Sequence, residues 1–163
     1  MSRKAFKGGV TDTSTTLTNM GEVGDKRFED GKTYRLAYCA TTQADDAFLV
    51  LDSVDAALAS YTVQAATAST QAVFGVNNTG SLASGTYFWA LCEGKWSAGS
   101  AKFSTLATIA AELPLVLNSD LTMGSTLASN TQPFGTTLVS VSSLTSVTSA
   151  TTTFDVYVKG IGA

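Results

Sequence analysis

The chemically capable residues of this 163-residue chain are Cys39, Cys92, 13 carboxylates and many hydroxyls, and it has no histidine. Without histidine, neither the serines nor the two thiols have the usual base that activates a nucleophile. Each cysteine sits alone in an apolar run, residues 34–39 and 87–92. That excludes zinc-type ligand spacing and predicts buried free thiols in preference to a disulfide. Gly31-Lys32-Thr33 matches the end of a phosphate-binding loop, but the motif needs a glycine five residues before Gly31, where Lys26 stands. The neighbouring carboxylates Glu29-Asp30 and Asp45-Asp46 point to opposite faces of a strand or into solvent from a loop, not across a cleft as a glycosidase pair must. Residues 118–124 alternate oxygen-bearing side chains, yet the glycine falls one place late for a calcium loop and no glutamate completes the set. The expectation is no catalytic, cofactor-binding or metal site, and a protein that is not an enzyme.

Two groups of residues are candidates for contact with a partner. Arg3, Lys4 and Lys7 belong to a front end that also holds Lys26, Arg27, Lys32 and Arg35, whereas Lys95, Lys102 and Lys159 are the only later cations, so a mildly basic start precedes an acidic body. The three earliest are either a solvated terminus or an arm that meets an acidic surface. Among the aromatics, Tyr87, Phe88, Trp89 and Trp96 would suit stacking on a sugar or a single-stranded nucleic acid, but residues 86–93 are apolar on both strand faces, which favours core packing. Trp96 stands apart: with Gly94 and Lys95 it reads as a turn, predicting an exposed aromatic that anchors a contact. The body lacks the basic stripe of a nucleic-acid binder.

The elements that must carry these residues are strands. Charged residues are 14% of the chain, against about a quarter in an ordinary domain, and Ser and Thr fill the polar positions. Thr suits a half-buried pleated position, while Ser and Gly supply turns. Strands are expected at 33–39, 48–51, 61–64, 71–76, 86–93, 113–117, 134–141 and 153–159, with 61–64 pairing to 71–76 and a turn following 48–51. Glu29-Asp30-Gly31-Lys32 and Asn77-Asn78-Thr79-Gly80 read as turns. In the last strand Phe154, Val156 and Val158 should face one way and Asp155, Tyr157 and Lys159 the other. The fold class is therefore all-β, an antiparallel β-sandwich or small β-barrel. Residues 1–27 form an extended N-terminal arm, flexible or ordered by a partner, and residues 28–163 the β-rich domain. Thr-rich polar sequence at 8–19 stands where a signal peptide would be apolar, so no export is expected. No apolar run approaches the roughly 20 residues that span a bilayer, and no membrane partner is expected.

Taken in order, several segments resemble the capsid decoration, or cement, proteins of tailed bacteriophages. They are Phe28-Glu29-Asp30-Gly31-Lys32-Thr33-Tyr34-Arg35-Leu36, Gly75-Val76-Asn77-Asn78-Thr79-Gly80, and Gly85-Thr86-Tyr87-Phe88-Trp89-Ala90-Leu91-Cys92-Glu93-Gly94. Phe134-Gly135-Thr136-Thr137-Leu138-Val139 and Phe154-Asp155-Val156-Tyr157-Val158-Lys159-Gly160 complete the set. The resemblance spans residues 28–163 and lies in turn-plus-strand patterns. It implies a small β module that forms a homotrimer on the outer face of the virion capsid, made in the host cytoplasm, with the major capsid protein as its partner and no direct contact with nucleic acid. The competing reading is a head-fibre or adhesin-like module that binds host-surface glycan through Trp96 or Tyr157.

Overall fold

The computed structural model describes residues 8–52, 61–68, 71–98, 114–117, 123–124, 133, 135–137 and 154–163. Arg3, Lys4 and Lys7 lie outside the described residues, as do residues 53–60, where the turn following 48–51 was expected, and all of residues 138–153. The strands are β1 (Thr13–Ser14), β2 (Lys26–Glu29), β3 (Lys32–Cys39), β4 (Phe48–Leu51), β5 (Thr62–Ala65), β6 (Gly75–Val76) and β7 (Thr86–Ala98), followed by β8 (Pro114–Leu117), β9 (Met123–Gly124), β10 (Gly135–Thr137) and β11 (Phe154–Lys159). No α-helix occurs among the described residues, and the all-β class holds.

β7 organises the sheet. Its first half pairs antiparallel with β3, setting Leu36 opposite Trp89 and Ala37 opposite Phe88. Its second half pairs with β11, setting Val156 opposite Trp96 and Val158 opposite Gly94. Over residues 156–159 the expected alternation in β11 is present: Val156 and Val158 are buried, Tyr157 is half-buried and Lys159 is exposed, while the side chains of Phe154 and Asp155 lie outside the description. Because β7 is apolar on both faces, it feeds two cores. Tyr34, Leu36, Trp89, Leu91, Trp96, Val156 and Val158 belong to one. Ala37, Cys39, Leu49, Val63, Phe74, Phe88, Ala90 and Cys92 belong to the other. A strand covered on both sides has to read as a continuous apolar run, which residues 86–92 do.

The pairings close on themselves. β3 bonds to β5, β5 to β4, β4 to β6, β6 to β7, and β7 back to β3, forming a five-strand ring. The β3–β5 link is parallel, so the sheet is mixed and not purely antiparallel as expected. The anticipated pairing of 61–64 with 71–76 does not form. Residues 71–74 lie outside strands, Gly75–Val76 pairs with β4 and β7, and β5 pairs with β3 and β4. Edge sequence alone does not choose between adjacent and non-adjacent partners, and here burial of Phe74 and Val73 against the two cores decides.

The body begins earlier than the expected boundary at residue 28. β1 pairs with β7 through Thr13 and Ser14 opposite Phe88 and Tyr87, Met20 is buried, and Val10 and Leu17 pack against the first core. Residues 8–27 therefore belong to the folded domain. Their polar Thr-rich composition hid three apolar anchors spaced too widely to show a period.

β2 and β3 form a hairpin over Asp30 and Gly31, with φ of 50° and 73°. Positive φ at both central residues is the type I′ geometry that matches strand twist, and Asp-Gly is a favoured pair for it.

Candidate interaction surface

The sequence placed Trp96 in an exposed turn, and the structure corrects this. β7 runs on through Gly94 and Lys95 to Ala98, and Trp96 is 2% exposed. The physical cause is a bulge. Thr33 opposes Glu93 while the next residue, Tyr34, opposes Leu91, so Cys92 is an extra residue in β7. An inserted residue reverses the alternation beyond it. Tyr87, Trp89 and Leu91 face the first core, and after the bulge Trp96 joins them. Gly94 sits beside the bulge at a φ of 124°, a conformation that disfavours side chains, and a Cβ there would come within 3.0 Å of Lys32 Cα. Inside, the Trp96 ring meets Phe48 edge-on at 5.9 Å between centroids, and its indole Nε1 donates to Asp46 Oδ1 at 3.2 Å. A buried indole N–H needs such a partner.

Asp45 and Asp46 thus serve the fold. Gly80 N donates to Asp45 Oδ1 at 3.2 Å, and Asp46, at a φ of 59°, donates its own N–H to Asn77 O at 3.0 Å. Asn77 is the fully buried centre of this turn. Its Nδ2 donates to Ala44 O at 2.8 Å and to Gly80 O at 2.7 Å. Its Oδ1 accepts from Thr79 N at 3.1 Å and from Thr79 Oγ1 at 2.9 Å. All four capacities of the amide are used.

Tyr157, the other aromatic considered for glycan contact, is half-buried, and its hydroxyl donates to Glu93 Oε1 at 3.2 Å. Desolvation by burial raises its pKa, and the hydrogen bond to Glu93 and the charge of Glu93 add to the rise. Arg35 is spent internally as well: Nε donates to Gly162 O at 2.6 Å and Nη1 to Gly24 O at 3.0 Å, while the guanidinium lies 5.4 Å from the centre of the Tyr61 ring. The chain end is thereby strapped down, with Gly160 N donating to Cys92 O and Ile161 N to Val73 O, both at 2.9 Å. Nothing in the sequence of an isolated arginine signalled this use.

Both thiols are free and buried. Burial pushes Cys92 up to about 12 and also raises Cys39, so neither is a thiolate at neutral pH, the form a nucleophile or metal ligand requires. A raised thiol pKa in the fold means the native state holds its proton after the unfolded chain has lost it, so stability is complete below the unfolded value and declines as pH climbs toward the native one. The decline for Cys92 is about 1.4 kcal/mol per pH unit above pH ~9. Urea unfolding of wild type and Cys92→Ala at pH 8 and at pH 10.5 isolates it from other alkaline titrations. The stability advantage of wild type should shrink by about 2 kcal/mol between the two pH values. A constant difference would mean that the thiol ionises as readily in the fold as out of it.

Among the described residues the remaining outer features are few. An open depression of about 510 Å³ is lined by Thr11, Asp12, Thr13, Ser14, Thr16, Asn19 and Met20. Its side chains offer hydrogen bonds, and some already accept from nearby backbone amides: Asp12 Oδ2 from Gly9 N at 2.8 Å and Ser14 Oγ from Thr16 N at 3.1 Å. The large apolar side chains that stand out are Phe28, 72% exposed, and Ile161, 58% exposed. Phe28 was read from the sequence only as the start of the body. Among the described residues no group of three or more metal-ligating side chains occurs, and no helix is long and apolar enough to cross a membrane.

No protein-family model matches the chain, and no curated protein matches its sequence.

Proposed function

We propose that this chain is a structural decoration, or cement, protein of a tailed-phage head, a homotrimer that sits on the outer capsid surface and bridges neighbouring major capsid subunits. The observation that carries the reading is where the reactive side chains go. Cys39, Cys92, Trp96, Arg35, Asp45 and Asp46 all secure the fold, and in a chain with only 14% charged residues the described exposed positions left for contact are rich in Ser and Thr. Such a surface packs against a protein without stripping water from many ions, which is the costly part of burying polar groups. Many identical copies on a shell then multiply a modest contact into firm attachment. Arg3, Lys4 and Lys7 supply an electrostatic contribution toward acidic capsid surface. The glycan-binding alternative loses its main anchor with the burial of Trp96.

Co-sedimentation with empty phage shells tests the proposal. The full chain should bind saturably, in fixed proportion to the major capsid protein. A variant lacking residues 1–7 should keep its fold, because Val10, Leu17 and Met20 anchor the front of the described domain, and should bind several-fold more weakly, with a reduced dependence on salt. Failure of the full chain to bind any shell would refute the proposal. Undiminished binding by the shortened variant would remove the basic residues from the mechanism.

A further inference from the structure

The sequence at β2 is antisymmetric in charge about one aromatic: Lys26 and Arg27 precede Phe28, and Glu29 and Asp30 follow it. β2 is also an end strand, bonded to β3 and to no other strand among the described residues. The hairpin register fixes which of its backbone groups face outward. A two-residue turn makes Glu29 and Lys32 a hydrogen-bonded pair, so Arg27 and Tyr34 form the next one, and Lys26 and Phe28 direct their N–H and C=O groups away from β3. Leu36 N donating to Asp25 O at 2.9 Å continues that alternation. The Phe28 ring is 72% exposed, with Lys26 Nζ 5.8 Å from its centre. An aromatic so placed on an open strand edge is the feature that folded proteins ordinarily avoid or cover.

We propose that β2 is a self-association edge, pairing antiparallel with β2 of a second copy about a two-fold axis at Phe28. Opposed residues of such a pair must share a face of the joined sheet. Centring on Phe28 satisfies this and sets Phe28 against its own counterpart, Arg27 against Glu29 and Lys26 against Asp30. Each charge meets its opposite, adding to the ion pair that Arg27 Nη2 already makes with Glu29 Oε2 in its own strand, and the outward N–H and C=O of the two Phe28 residues complete each other. The alternative register centred on Arg27 opposes two guanidiniums, which is unfavourable for directly opposite strand residues. Edge charges that usually prevent pairing here permit one register. An acidic peptide would gain from Lys26 but be repelled by Glu29 and Asp30, so the fitting partner is a second copy of this chain. The contact stands apart from the capsid reading; if the chain is a trimer, a two-fold edge links one trimer to the next.

Cysteine cross-linking of the full chain tests the register. Opposed residues of a hydrogen-bonded pair have Cα atoms about 5.5 Å apart, within disulfide range, so Phe28→Cys should form an intermolecular disulfide under mild air oxidation. Lys26→Cys, four residues away from its own counterpart in that register, should do so at least tenfold less; Cys39 and Cys92 are buried and do not compete. Sedimentation equilibrium of the unaltered chain should show concentration-dependent association, and Glu29→Lys should raise the dissociation constant about tenfold, since it sets two like-charge pairs in each contact. Equal cross-linking at positions 26 and 28, or a single species with no concentration dependence up to millimolar chain, would overturn the proposal.

Discussion

Trp96→Ala should cost about 3–5 kcal/mol of stability, the range for removing a buried aromatic from a packed core. Domains of this size are stable by about 5–15 kcal/mol, so the variant stands at the margin of folding. Three losses combine at this position: the ring leaves a cavity beside Phe48, Val156 and Val158, the edge-on contact with Phe48 disappears, and Asp46 Oδ1 loses the indole donor. Phe28→Ala provides the comparison, because a 72% exposed ring should cost no more than about 0.5 kcal/mol. Urea unfolding followed by circular dichroism measures both. A Trp96→Ala variant as stable as wild type would place that side chain in solvent and restore it as a candidate contact residue.

Asn77→Ala should cost about 2–4 kcal/mol, although it removes only a few atoms. The amide fills four hydrogen-bonding roles in a fully buried position, and its loss leaves the carbonyls of Ala44 and Gly80 without this donor. Stranded buried polar groups carry the full penalty of desolvation, which exceeds the net gain of an ordinary hydrogen bond. Asn77→Asp sharpens the test. A carboxylate there would face two carbonyl oxygens, which raises its pKa in the fold above the ordinary value near 4. Its stability contribution is then retained at low pH and lost as pH rises through the native value. The Asn77→Asp variant should accordingly lie closer to wild type at pH 4 than at pH 7. Equal losses at the two pH values would indicate that the site admits water and that the turn is held by its backbone alone.

The all-β class was legible because it rests on local signals. Strand residues 48–51 and 154–159 alternate or run apolar between turn residues, and Asp30-Gly31 has few uses other than a tight hairpin. The double-sided burial of β7 was likewise written in residues 86–92. What stayed hidden depends on register between distant segments. The bulge at Cys92 exists only relative to β3, sixty residues earlier, and no property of Glu93-Gly94-Lys95-Trp96 by itself says that alternation reverses there. The same holds for Met20, Val10 and Leu17, which become core anchors only because β1 lands on β7. For the interaction surface, Arg3, Lys4 and Lys7 lie outside the described residues. The charge order around Phe28 was in the sequence all along, but its meaning required knowing that β2 ends the sheet.

The proposed role of the chain is to fasten protein to protein on a viral shell. Its most direct measurement is the temperature at which purified phage shells rupture, with and without a saturating amount of the chain. Bridged subunits must part from the bridge as well as from each other, so ligand-type linkage predicts a rupture temperature that rises with occupancy and levels off at saturation. Shells that bind the chain to saturation and still rupture at the unaltered temperature would contradict it.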